Sequence, residues 1–169
     1  MSSNSDDTKP SDLPRGFGSV YYHKRSGRFR ASFNSGGKRE ILGYYILRKD
    51  AEQAVLERAH EDIEESLTLC TQLYLEATNM THEDNYLDTE PSYIPYGMGS
   101  VTYVDGPRIK HYRARFGSGK DRKNVGYFAT RQEAEQAVLR IAMEDLRGRL
   151  ELCEELYLEV SESQIYPPL

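Results

Sequence analysis

The sequence contains the same segment twice. Residues 43–76 set above 126–159 give 19 identities in 34 ungapped positions, including Ala-Glu-Gln-Ala-Val-Leu at 51–56 and again at 134–139. The register extends back through Phe29-Arg30-Ala31-Ser32-Phe33 against Tyr112-Arg113-Ala114-Arg115-Phe116. With two extra residues in the second copy, it then reaches Gly18-Ser19-Val20 against Gly99-Ser100-Val101. Whatever one copy folds into, the other must fold into as well. A repeat of about 60 residues exceeds most solenoid repeats and suits a small domain present twice. The expected organisation is a disordered tail over 1–15, a first repeat over 16–77, an acidic linker over 78–96, a second repeat over 97–160 and a C-terminal tail over 161–169.

Inside each repeat the hydrophobic period changes once. From Val20 to Tyr45 the pattern is short and alternating: Phe29, Ala31 and Phe33 share one face, Arg28, Arg30 and Ser32 the other. Turn residues flank this strand, Ser26-Gly27 before it and Asn34-Ser35-Gly36-Gly37 after it. Asp105-Gly106-Pro107 and Gly117-Ser118-Gly119 repeat the arrangement, so three antiparallel strands joined by hairpins are predicted in each copy. After Lys49 the residues become Ala-, Glu-, Leu- and Gln-rich without Gly or Pro up to Ala77, with Asp50 as N-cap or first-turn acid. The second helix is expected from Arg131 to Val160, with Gly148 its weak point. The fold class is therefore α+β: two three-stranded antiparallel sheets, each packed on one long C-terminal helix.

A helix of that length outruns its sheet, about 42 Å against about 20 Å. Its second half needs another partner. Leu56, His60, Ile63, Leu67, Cys70, Tyr74 and Ala77 alternate at spacings of four and three, as do their counterparts from Leu139 to Val160. The two helices are expected to pair within one chain through Ile63, Leu67, Cys70 and Tyr74 against Leu146, Leu150, Cys153 and Tyr157, holding the sheets apart. The chain would then be a monomer. A homodimer with helices paired between chains is the alternative.

The net charge of −5 argues at first against a polyanionic partner, but it is an average over segregated charge. Residues 15–49 carry nine Lys or Arg against one acid, and residues 98–131 carry eight against two, a net +14; everything else carries −19. A basic sheet backed by an acidic helix concentrates a positive field on one face. Basic and aromatic side chains interleave there. Tyr22, His23, Lys24, Arg25, Arg28, Arg30, Lys38 and Arg39 in the first repeat are the candidate nucleic-acid contacts. Tyr103, Arg108, Lys110, Arg113, Arg115, Lys120, Arg122 and Lys123 are those of the second. The cations would bind phosphate or base edges, and Tyr22 and Tyr103 would pack on sugar or thymine methyl.

Catalysis finds little support. The four His residues, at 23, 60, 82 and 111, make no metal-ligand spacing, and no phosphate loop or nucleophile elbow occurs. Cys70 and Cys153 occupy equivalent positions and read as reduced core residues. No enzyme activity, metal or cofactor is expected. No apolar run approaches the roughly 20 residues of a membrane span, and no secretory signal opens the chain, so a nuclear or cytoplasmic location is expected.

Ser19-Val20, His23-Lys24-Arg25-Ser26-Gly27-Arg28-Phe29-Arg30-Ala31, Leu42-Gly43-Tyr44-Tyr45 and Asp50-Ala51-Glu52-Gln53-Ala54 together resemble the Apetala-two/ethylene-response-factor (AP2/ERF) DNA-binding domain, in its apicomplexan and phage-like form. The second copy keeps Ser100-Val101, Tyr112-Arg113-Ala114-Arg115, Val125-Gly126-Tyr127-Phe128 and Glu133-Ala134-Glu135-Gln136-Ala137. The resemblance reaches to about Ala59 and Ala142. It implies a three-stranded sheet laid in the DNA major groove with a helix behind it, and a regulator of transcription. The family's usual Trp residues are absent, and Tyr21 or Thr102 stands where plant members carry Arg. The other reading of the same fold is a structural subunit of a larger assembly, with RNA or acidic proteins as partners.

Overall fold

In each repeat the alternating segment forms a three-stranded antiparallel meander and the Ala/Glu/Leu-rich segment a single helix. The computed structural model describes residues 13–35, 38–79, 94–95, 97–106, 110–117 and 119–162. The first repeat contains β1 (Ser19–His23), β2 (Arg28–Ser35), β3 (Lys38–Tyr45) and α1 (Arg48–Asn79). The second contains β4 (Gly99–Asp105), β5 (Lys110–Phe116), β6 (Lys123–Phe128) and α2 (Arg131–Glu162), with a short 3-10 turn at Gly119–Asp121. The middle strand of each sheet is the second in sequence. This is the α+β architecture expected, with the two helices in contact. Most of the tail predicted over 1–15, of the linker over 78–96 and of the tail over 161–169 lies outside the described residues, as do Arg108 and the side chain of Lys110.

Register is the same in both sheets, and so is its one irregularity. Ala31 pairs with Gly43 but Ser32 with Ile41, which leaves Leu42 as an extra residue in β3; Ala114 pairs with Gly126 and Arg115 with Asn124, which leaves Val125 extra in β6. Such a bulge bends the edge strand. It also lets Leu42 and Val125 turn toward the helix side, where each packs on its core cluster.

α1 begins two residues earlier than the composition suggests, α2 begins at Arg131 as expected, and both end two residues later. Leu47 and Thr130 are the N-caps, since their carbonyls accept the first helical bonds from Ala51 and Ala134. Thr130 forms a capping box: its Oγ1 accepts from the Glu133 amide at 3.2 Å while a Glu133 carboxylate oxygen accepts from the Thr130 amide at 3.3 Å. Asp50, equivalent to Glu133, is thus a first-turn acid and not an N-cap. At the far ends, Thr78 and Ser161 donate to the carbonyls of Tyr74 and Tyr157, and the helices run on through Asn79 and Glu162.

The chain divides into two compact units that do not coincide with the repeats. The first combines residues 1–64 with 149–169, the second is 65–148. Each unit therefore holds one sheet, the start of the helix that follows it, and the end of the other repeat's helix. A 32-residue helix is about 48 Å long and an eight-residue strand about 27 Å. The surplus half of each helix is itself part of the other unit and contributes to its core.

In the first unit Val20, Phe29, Ala31, Ala51 and Val55 form the buried cluster between sheet and helix, with Tyr22, Leu42 and Tyr45 packed around it. Ala31 and Ala51 are fully buried and have no side chain beyond Cβ, which lets β2 and α1 approach closely. The end of α2 lies antiparallel to the start of α1: the Cys153 thiol contacts the Leu56 carbonyl at 3.4 Å, and the Tyr157 hydroxyl is hydrogen-bonded to Gln53 at 3.1 Å. In the second unit Ala114, Ala134 and Val138 form the corresponding cluster. There the end of α1 lies along the start of α2, with Gln132 and Gln136 donating to the Ala77 carbonyl and the Cys70 thiol against the Met98 sulfur at 3.0 Å. Of the eight expected pairing residues, Ile63, Cys70, Leu146 and Cys153 are buried, and Leu67, Tyr74, Leu150 and Tyr157 are half-buried.

Gly18 immediately precedes β1 and Gly99 begins β4, with φ of +104° and +147°. A Cβ on Gly18 would stand 2.7 Å from the Ser32 carbonyl oxygen and 2.7 Å from a Val55 methyl; on Gly99 it would meet the Arg115 carbonyl and a Val138 methyl. Glycine here lets the strand enter between the middle strand and the helix.

Candidate nucleic-acid interface

Strand alternation assigns one side of each sheet to the helix, and no helix or strand among the described residues covers the other, open side. On the first sheet the open side is built from cross-strand rows: Tyr21, Arg30 and Tyr44; His23 opposite Arg28; Ser19, Ser32 and Ile41. On the second sheet the matching rows are Thr102, Arg113 and Tyr127; Val104 opposite His111; Ser100, Arg115 and Asn124. An arginine thus sits at the centre of each face. Each is half-buried, and its Nε is shielded from water without a hydrogen-bond partner. Leaving such a donor unmet costs about 1–3 kcal/mol. On the first face this is offset by ring contact: the Arg30 guanidinium lies 5.5 Å from the Tyr21 centroid and that of Arg39 lies 5.9 Å from it.

Arg39 also donates to the Ser32 hydroxyl at 3.0 Å, and Ser32 Oγ is 3.0 Å from Ser19 Oγ. This explains why Ser32 is only 2 % exposed although it belongs to the open side. The second face carries Arg115 at the position of Ser32, so both faces hold a guanidinium beside the central arginine, delivered from the edge strand in one and the middle strand in the other. A histidine meets the outer tyrosine on each: His23 with Tyr44 at 5.5 Å, His111 with Tyr127 at 6.1 Å. His23 is further fixed by a 2.9 Å hydrogen bond to Ser26.

The remaining cations surround these rows. Lys24, Arg25 and Arg28 are exposed at the β1–β2 hairpin, and Lys38 and Arg39 at the start of β3. Lys120, Arg122 and Lys123 are exposed around the β5–β6 connection. Two arginines of the basic segments are held elsewhere: Arg48 and Arg131 each bind a glutamate one helical turn on, Glu52 and Glu135, at 2.8 Å.

Tyr22 and Tyr103 require correction. Both point toward the helix side, Tyr22 edge-on to Phe29 at 5.3 Å and Tyr103 tilted on Tyr112 at 5.2 Å. They support the sheets and do not present rings on the open face. Tyr21, Tyr44 and Tyr127 take that place, and the last two are 42 % and 56 % exposed. Val20 is buried, so its neighbour Tyr21 must face the other way.

Among the described residues no group of three or more His, Cys, Asp or Glu side chains is placed to hold a metal ion. None of the described helices is long and apolar enough to cross a membrane. The thiols of Cys70 and Cys153 are pushed above their ordinary value by burial, with Glu154 adding to the effect at Cys153. Burial therefore favours the thiol over the thiolate at both positions. No protein-family model, curated protein or solved structure matches the chain.

Proposed function

We propose that the chain binds double-stranded DNA through the open faces of its two sheets and acts as a regulator of transcription. The observation that carries this reading is the repeated row in which Arg30 or Arg113 occupies the centre of an open, cation-rich sheet face while the acids are gathered on the helices. A three-stranded sheet is about 10 Å across its outer strands, comparable to the roughly 12 Å width of the major groove. Arginine from such a surface can bond guanine bidentately, and the surrounding Lys and Arg can neutralise phosphates. Tyr44 and Tyr127 add apolar contact at the edge of each face. The resemblance to AP2/ERF domains supports the same docking mode.

The test is a binding screen on randomised duplexes, repeated with Arg30→Ala and Arg113→Ala together. Loss of sequence preference with residual salt-sensitive binding would support base reading by these two residues. Uniform weakening would assign them to phosphate. Absence of duplex binding by the unaltered chain would overturn the proposal, and binding to single-stranded or duplex RNA alone would redirect it.

A further inference from the structure

Within the first unit, α1 and the end of α2 border a half-open cavity of about 520 Å³, inside the range that holds small organic ligands. Its apolar lining is Leu56 and Cys153, both buried at its base, with half-buried Tyr157 and exposed Leu158 at its side. Its rim is acidic, with Glu57, Glu61 and Glu154 around His60. The carboxylates are not equally committed. Glu61 lies 3.7 Å from Arg58, and Glu154 lies 3.6 Å from the His60 ring, whose other nitrogen is 3.4 Å from Glu64. Glu57 instead accepts from two neutral donors, the Gln53 amide at 3.1 Å and the Tyr157 hydroxyl at 3.2 Å, which fix its position; among the described residues no cation pairs with it.

The duplication supplies an internal comparison. The apolar lining residues recur unchanged in the second unit as Leu139, Cys70, Leu75 and Tyr74. Of the rim only Glu61 recurs, as Glu144: Arg140 stands at the position of Glu57, Met143 at that of His60, and Thr71 at that of Glu154. Met143 is only 8 % exposed, and its sulfur meets the Thr71 hydroxyl at 3.6 Å. The groove is thus filled by a thioether beside Arg140 and Glu144 in one copy. In the other it is open, and its rim has turned acidic at two of three changed positions.

We propose that the first-unit cavity binds a small amphipathic amine, with the ammonium at Glu57 and Glu154 and the apolar body on Leu56, Cys153 and Leu158. A carboxylate held by neutral donors at the mouth of an apolar cleft selects a cation that brings its own hydrocarbon. A hydrated inorganic ion gains nothing from the apolar lining, and an anion is repelled by the rim. The site is separate from the sheet faces and stands or falls independently of DNA binding.

Isothermal titration of the full chain with hexylammonium chloride, with hexanol and sodium hexanoate as controls, tests this. Saturable one-to-one binding of the ammonium alone is expected. Glu57→Gln, which keeps the acceptor for Tyr157 and removes the charge, should weaken it about tenfold. His60→Met, the residue the second unit already accommodates at this position, should abolish it by filling the space. Thermal melts confirm that each variant is folded, and Arg140→Gln in the second unit should leave binding unchanged. Equal binding of hexanol, or ammonium binding unaltered by both first-unit variants, would overturn the proposal.

Discussion

Gly18 offers the sharpest test of how each sheet is seated on its helix. Replacing it with alanine adds one methyl at a point where a carbonyl oxygen and a valine methyl each stand 2.7 Å away, well inside van der Waals contact. The oxygen belongs to the Ser32 backbone and cannot swing aside, so β1 must withdraw from β2. A non-glycine residue at φ +104° costs about 1–2 kcal/mol, and overpacking a closed site a further 1–3 kcal/mol. The sum, about 2–5 kcal/mol, corresponds to a fall in Tm of roughly 4–20 °C for a chain of this size. Gly148 provides the control, because it lies inside α2 with nothing within 4 Å of its would-be Cβ. Gly148→Ala should raise stability by about 0.5–1 kcal/mol. Thermal and urea denaturation of the two variants measure both values. If Gly18→Ala melts within about a degree of the unaltered chain, the close approach described here is wrong.

Further consequences concern the helix ends and the thiols. Thr130→Ala removes a capping box and should cost about 1 kcal/mol, whereas Leu47→Thr combined with Asp50→Glu transplants that box to α1 and should gain a similar amount, both read from urea midpoints. Cys70 and Cys153 should react slowly with a thiol reagent at neutral pH in the native state and rapidly in denaturant. Because their folded values are raised above the ordinary 9.0, the stability they contribute is intact well below that pH and is lost as pH rises through it towards the folded value; a denaturation series from pH 7 to pH 10 reads that decline.

The element types were legible because period and composition agreed: Phe29, Ala31 and Phe33 alternate, and the stretch after Lys49 lacks breakers. Three features were not. The stripe of α1 matches that of α2 almost residue for residue, Cys70 with Cys153 and Tyr74 with Tyr157, so periodicity alone could not say which end of which helix completes which unit. Two consecutive tyrosines, Tyr21 and Tyr22, differ in role only through strand phase, and the aromatic pairing of Tyr22 with Phe29 settles it. The bulges at Leu42 and Val125 reset that phase within β3 and β6 without a Gly or Pro at the extra residue to announce them. The basic open faces were legible from segment charge, but the covering of Ser32 by Arg39 depends on a cross-strand contact between residues seven apart.

The central claim is that the sheet faces neutralise phosphates, and its most direct test is the salt dependence of duplex binding. Lys24, Arg25, Arg28, Arg30, Lys38 and Arg39 on the first face give six cations, and Arg113, Arg115, Lys120, Arg122 and Lys123 give five on the second. At about 0.9 per phosphate, the slope of log K against log salt should lie between roughly −5, if one face engages, and −10, if both do. Arg28→Ala with Arg39→Ala should make it shallower by about 2. A slope near zero, or a slope that ignores those two substitutions, would contradict the account.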